Sequence, residues 1–142
     1  MPASDLNHTT VIRSLTKAGW SIVKEQYSLA IGENADNLRR LYIDILAQSQ
    51  SEQIVLIEVK SLEVSPVHQF MQLVGQYIVY RSALDHLEND MPLYVAISEV
   101  DYETIITHPL GLRVMEQTLK EPILLVIYDT VNEEILRWIP PL

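Results

Sequence analysis

Cysteine is absent from this chain of 142 residues, so disulfides and thiolate metal sites are both excluded. Basic side chains are scarce. Lys and Arg together number 10 against 19 Asp and Glu, for a formal charge of −9 at pH 7. A protein that grips nucleic acid tightly on its own shows a basic footprint, because phosphate neutralisation supplies most of the sequence-independent affinity. Here the basic residues are scattered, apart from Arg39-Arg40. Nucleic acid is therefore bound weakly, bound with the help of a partner that supplies positive surface, or not the substrate. No apolar run approaches membrane-spanning length, and the N-terminal Met-Pro-Ala-Ser-Asp has neither the basic nor the apolar segment of a secretory leader. A soluble, cytoplasmic protein without membrane contact is expected. Neither a repeat nor a Pro/Gly-rich linker divides the sequence, which points to one domain over residues 1–142 with enough apolar residues for a core without staples.

What the chain does have is concentrated in Leu41 to Lys60, two strongly apolar runs joined by the polar residues Gln48 to Gln53. Asp44 stands between Ile43 and Ile45, and Glu58 and Lys60 close the run that begins Ile54-Val55-Leu56-Ile57. Charges in such surroundings are paired or bind a metal, since burying an unpaired carboxylate costs about several kcal/mol. Side chains alternate along a strand, so Glu58 and Lys60 share a face. The short polar turn makes the two runs an antiparallel hairpin. A turn centred on Ser51 sets Asp44 directly across from Glu58, with Cβ atoms roughly 5 Å apart, where like charges repel. A divalent cation held by both carboxylates removes that repulsion, with the Lys60 ammonium assisting. A slip of one residue would turn Asp44 to the other face.

Around this hairpin the pattern predicts a helix over Asp5 to Ala18, capped by Ser4 or Asp5, with Leu6, Val11, Ile12 and Leu15 as its apolar stripe and Gly19 as its stop. Trp20 to Val23 and Tyr27 to Ile31 read as short strands broken at Lys24-Glu25-Gln26, and Gly32 to Leu38 as a polar loop. Ser65 as N-cap and Pro66 at the first helical position open the longest helix, which runs to about Leu87. Strands are expected at Leu93 to Ile97, Ile123 to Tyr128 and Ile135 to Ile139, and helices at Asp101 to Thr107 and Leu110 to Leu119. The order implies an α/β fold, a mixed β-sheet covered by helices.

Asp44 followed by Glu58-Val59-Lys60 resembles the D…ExK pattern of the PD-(D/E)XK nuclease superfamily. The resemblance implies a restriction-endonuclease-like fold in which Asp44, Glu58 and the Val59 carbonyl hold Mg²⁺ or Mn²⁺, and Lys60 positions a water or offsets charge in the transition state. Gln76 and Tyr80, one turn apart on one helical face, are similar to the QxxxY that follows ExK in the RecB-like branch, where amide and phenol sit beside the metal. Without that resemblance, Tyr80 reads as core, as aromatics on an apolar helix usually do, and Gln76 as exposed. Gly75 beside them suggests a close approach, since a helix-interior glycine costs roughly 1 kcal/mol against alanine. The same branch implies a first-helix histidine in the metal shell, for which His8 is the candidate; a partly exposed helix histidine is the plainer reading. The branch's acidic residue of that helix has no clear counterpart, Asp5 falling at the cap, and Ile43 stands where its proline precedes the first Asp. His68, His86 and His108 read as surface residues, and Arg39-Arg40 as solvated loop residues within reach of a phosphate.

Met-Pro-Ala-x-Asp, His8, Gly19-Trp20, Asp44, Glu58-Val59-Lys60-Ser61, Gly75-Gln76-Tyr77, Leu93-Tyr94-Val95-Ala96 and Arg137-Trp138-Ile139 occur in order along essentially the whole chain. Together they resemble the XisH family, the fdxN element excision controlling factors of cyanobacteria. That resemblance implies a role in excising a DNA element during heterocyst development and a companion protein of the XisI kind. Two functions are then open: a Mg²⁺-dependent endonuclease acting on DNA, or a nuclease-fold binding factor that controls a separate recombinase through protein contacts. A homo-oligomer is compatible with either.

Overall fold

A computed structural model describes residues 3–32, 34 and 36–142. Met1, Pro2, Glu33 and Ala35, and the side chains of Ser4, Asp5 and Leu6, lie outside the described residues, and with them parts of the N-terminal motif, the proposed cap and the polar loop. Six strands form one sheet in sequence order: β1 (Ser21–Ile31), β2 (Arg39–Gln48), β3 (Ile54–Val59), β4 (Leu93–Ser98), β5 (Leu124–Asp129) and β6 (Glu134–Ile139). β1, β2 and β3 are antiparallel neighbours, β3, β4 and β5 run parallel, and β6 returns antiparallel to β5. α1 (Ala3–Lys17) precedes the sheet and α2 (Pro66–His86) links β3 to β4. The expected α/β mixed sheet flanked by helices is the observed architecture.

The two faces of the sheet carry two cores. Leu56, Leu93, Val95, Ile97, Leu125 and Ile127 pack with Phe70, Leu73 and Leu84 of α2. Val55, Ile57, Tyr94, Ala96, Val126 and Tyr128 pack with Val11 and Leu15 of α1. Coverage on both sides explains why every residue of β4 is buried and why its sequence shows no alternation.

Local structure departs from expectation in several places. β1 is one strand: it carries a bulge at Val23, between Ile22 and Lys24, and a left-handed Gln26 (φ 55°), yet Lys24-Glu25-Gln26 does not break it. β1 is an edge strand, where such irregularities are common, and β2 pairs with it on either side of both. α1 begins at Ala3, before the expected Asp5. Gly19 does stop that helix, at φ 90°, with Trp20 N–H donating to the Leu15 carbonyl at 3.0 Å. Ser65 occupies the N-cap of α2, yet its hydroxyl caps nothing; the Gln69 side chain takes the Val64 N–H instead, at 3.0 Å. α3 (Glu99–Asp101) continues as a π-helical turn through Tyr102–Ile106, and α4 (Pro109–Arg113) as another through Val114–Thr118. Thr107 and Leu119 accordingly donate five residues back, to Tyr102 and Val114. Arg39 and Arg40 are the first residues of β2 and not part of a loop.

Gly75 meets nothing in the fold that needs a glycine: a Cβ built there finds no atom within 4 Å. Gly111 is the opposite case, since a Cβ would overlap the carbonyl oxygens of Ile105 and Ile106. Gly75→Ala should therefore stabilise the dilute protein by about 1 kcal/mol, and Gly111→Ala destabilise it by about 1–3 kcal/mol. Urea unfolding of the two variants, read side by side, checks both signs.

Candidate functional site

The hairpin adopts the register of a turn centred on Ser51. Ile45 pairs with Ile57 and Gln48 with Ile54, so the next position along sets Asp44 against Glu58. There the backbone ladder stops and the carboxylates take over. Val59 N–H donates to Asp44 Oδ2 at 2.8 Å, and Asp44 N–H donates to Glu58 Oε1 at 3.2 Å. Each acid thus satisfies an N–H that the opened ladder would have orphaned. The opening also shows in the packing. Ile43 and Ile45 are both fully buried, yet Ile43 belongs to the core under α2 and Ile45 to the core under α1. Residues two apart on a flat strand share a face, so β2 coils through Asp44 as it leaves β3.

Glu58 is only 7 % exposed, and its side chain shares the α2 face of β3 with Leu56. Its carboxyl is pushed up to about 7, first by burial and next by the Asp44 charge, while Lys60 pulls the other way. Lys60 Nζ stands 3.3 Å from Glu58 Oε2. Tyr80 reaches the same place from α2: its phenol is raised to about 12, by burial first and then by the charges of Glu58 and Asp44. Asp44, Glu58, Lys60 and Tyr80 are thus brought together. Gln76 lies one turn before Tyr80 and is exposed. His8 is engaged elsewhere, its Nε2 2.8 Å from Glu25 Oε1. His68, His86 and His108 are exposed as expected, although His108 also accepts the Leu110 N–H at the start of α4. Arg39 and Arg40 are exposed at the far end of β2, roughly 15 Å along the strand from Asp44.

The oxygen donors fit a hard divalent cation. Val59 turns its N–H toward β2, and in an extended strand the carbonyl of the same residue faces the same edge. Two carboxylates and one carbonyl suit Mg²⁺, which keeps several waters and takes few protein ligands. Among the described residues no group of three or more His, Asp or Glu gathers to hold an ion, so the set depends on the Val59 carbonyl.

Sequence reasoning missed Asp101, which holds the segment after Lys60 in place. Its Oδ2 accepts the Leu62 N–H at 2.9 Å, and its own N–H donates to Ser98 Oγ at 3.1 Å. The carboxylate is 6 % exposed, and Lys60 N–H is fixed to the Ala96 carbonyl at 3.0 Å. The available signal was the Ser98-x-x-Asp101 spacing directly after a buried strand, a helix-start pattern. Asp101→Ala should cost about 1–3 kcal/mol, the penalty for leaving the buried Leu62 N–H unpaired, measurable as a lower urea midpoint.

A family model described as "XisH protein" matches residues 1–136. The crystal structure of an fdxN element excision controlling factor protein from Anabaena variabilis is 30% identical, covers 95% of this chain and 98% of its own, and superposes with a TM-score of 0.80. An XisH family protein from Nostoc punctiforme is 27% identical over 94% of this chain and 98% of its own, at a TM-score of 0.79. A protein of unknown function from Silicibacter pomeroyi, 19% identical, covers 97% of this chain and 72% of its own at a TM-score of 0.50, which speaks to fold alone. No curated protein matches.

Proposed function

Because this chain belongs to the XisH family, we propose that it is a Mg²⁺- or Mn²⁺-dependent hydrolase of DNA phosphodiesters, with a PD-(D/E)XK site, that serves the excision of a DNA element. The observation that carries the reading is the opened ladder, where two opposed carboxylates and a lysine face the same side of the sheet as Tyr80. Asp44, Glu58 and the Val59 carbonyl would hold the cation, which would supply Lewis acidity toward the phosphodiester and acidify a water. Lys60 orients the attacking water and offsets the negative charge that gathers in the transition state. Tyr80, kept protonated by its surroundings, donates a hydrogen bond toward substrate or carboxylate, and Gln76, on the exposed side of the same face, contacts the incoming strand.

The reading has to accommodate the charge of −9. Four of the basic side chains are also occupied: Arg13, Lys60, Arg81 and Arg137 pair with Glu133, Glu58, Asp85 and Glu99. Binding to DNA is accordingly weak alone, steeply salt-dependent, and strengthened by a partner of the XisI kind. The same charge supports a second reading, a binding factor that controls a recombinase through protein contacts. Supercoiled plasmid incubated with the chain at low salt, with and without such a partner, separates the two. Nicking that requires Mg²⁺ or Mn²⁺ supports the hydrolase. Intact plasmid under every condition, together with binding to a recombinase, supports the other.

A further inference from the structure

We infer that the outward face of α2 is where two copies of this chain meet about a two-fold axis. No Asp, Glu, Lys or Arg occurs between Glu63 and Arg81, so most of the helix is uncharged. On the side away from the core it exposes Val67 (55 %), Met71 (65 %), Ile78 (48 %) and Val79 (54 %). These residues line one side of the helix with Gly75 among them, flanked by the exposed pair His68 and Gln72, 3.3 Å apart. Uncharged, largely apolar surface of this kind marks an interaction site. Tyr80 and Gln76 occupy a different side, so the inference does not depend on the proposed chemistry.

Three features name the occupant. First, every copy carries the same net charge of −9, and repulsion between like copies is least where the surface is neutral; a strongly basic partner would have nothing acidic to meet here. Second, Gly75 is exposed with open space beyond it, and a small residue at a helix crossing lets two backbones approach closely. The helix-propensity penalty at that position is thus explained by a contact outside the monomer. Third, the face carries both halves of a self-complementary fit. An apolar cavity of about 100 Å³, lined by Val67, Phe70, Ile105, His108, Leu110 and Gly111, opens beside the first turn of the helix, one turn from the protruding Met71. In a two-fold contact, residue i of one copy meets j of the other and the reverse, so Met71 of each copy fills the cavity of its mate. A buried anchor in a pocket is where interface energy concentrates.

The contact belongs to the smaller class of interfaces and should be micromolar in strength. Sedimentation velocity of the full chain from submicromolar to several hundred micromolar concentration tests it. The wild-type mass should rise toward twice the monomer. Met71→Asp should weaken association at least about 30-fold, as expected for a hot-spot residue, with an unchanged thermal midpoint since Met71 is exposed. Gly75→Leu should raise the thermal midpoint of the monomer and still block association, two signs that a general folding defect cannot produce together. A wild-type chain that stays monomeric throughout overturns the inference, as does association that both variants retain. Protection of α2 seen only after a different protein is added overturns it as well.

Discussion

Lys60→Met is expected to lower divalent-metal-dependent DNA cleavage by at least about 100-fold, the size of effect seen when a group aimed at transition-state charge is removed. Methionine preserves the aliphatic stem of a side chain that is 21 % exposed, so the loss should not be one of folding. Asp44→Asn should be at least as damaging for a different reason. An amide oxygen still accepts the Val59 N–H that Asp44 Oδ2 accepts at 2.8 Å, so the hairpin keeps its register, but one of the two carboxylates proposed to hold the cation is gone. The pair should be strongly non-additive, because each change disables the same unit. Plasmid nicking rates with Mn²⁺, for both single variants and the double, provide the measurement. Cleavage that persists at the wild-type rate in both singles would place the chemistry somewhere other than this hairpin.

The metal-free protein should lose stability as pH rises through about 7. Glu58 moves from an ordinary 4.5 to about 7 on folding, mainly through burial and then through the Asp44 charge. The folded chain therefore holds that proton more tightly than the unfolded one. The contribution is complete below about pH 4.5 and is lost as the pH climbs through about 7, for a total of about 3 kcal/mol. Urea unfolding with a chelator at pH 5 and pH 8 should show the difference, and Glu58→Gln should flatten it while making the protein more stable at the upper pH. Mg²⁺ adds the reciprocal test. It should restore stability at pH 8, where Glu58 has lost its proton, and do little at pH 5, where that proton competes with the cation. A wild-type stability that is flat between those two pH values would mean that burial and the Asp44 charge do not hold the Glu58 carboxyl above its ordinary value in the folded chain.

Much of this was legible before any coordinates. The apolar runs on either side of Gln48 to Gln53 pointed to the hairpin, and a turn centred on Ser51 gave the observed register. Apolar pattern alone left that register open, because both faces are covered and a slip of one residue would move Ile45, Ala47, Val55 and Ile57 from one core to the other. The same arithmetic set Asp44 against Glu58 and put Lys60 beside it. Uniformly apolar stretches also announced β4 and β5 as strands covered on both faces. Gly19 stopped α1 because only a residue at ease with positive φ ends a helix in that manner.

Other features depend on partners distant in sequence. Lys24-Glu25-Gln26 stays in β1 because β2 pairs with the strand on either side of Val23 and Gln26, and β2 coils at Asp44 because two separate cores draw Ile43 and Ile45 to opposite faces. His8 meets Glu25, and Asp101 holds Leu62, across separations that no local pattern encodes. Periodicity and spacing thus determined where most of the elements lie and, in the hairpin, which residues share a face. Tertiary structure alone decided where the ladder opens, which groups fill the opening and which stay outside it, because hydrogen-bond completion and core packing are settled between elements and not within them.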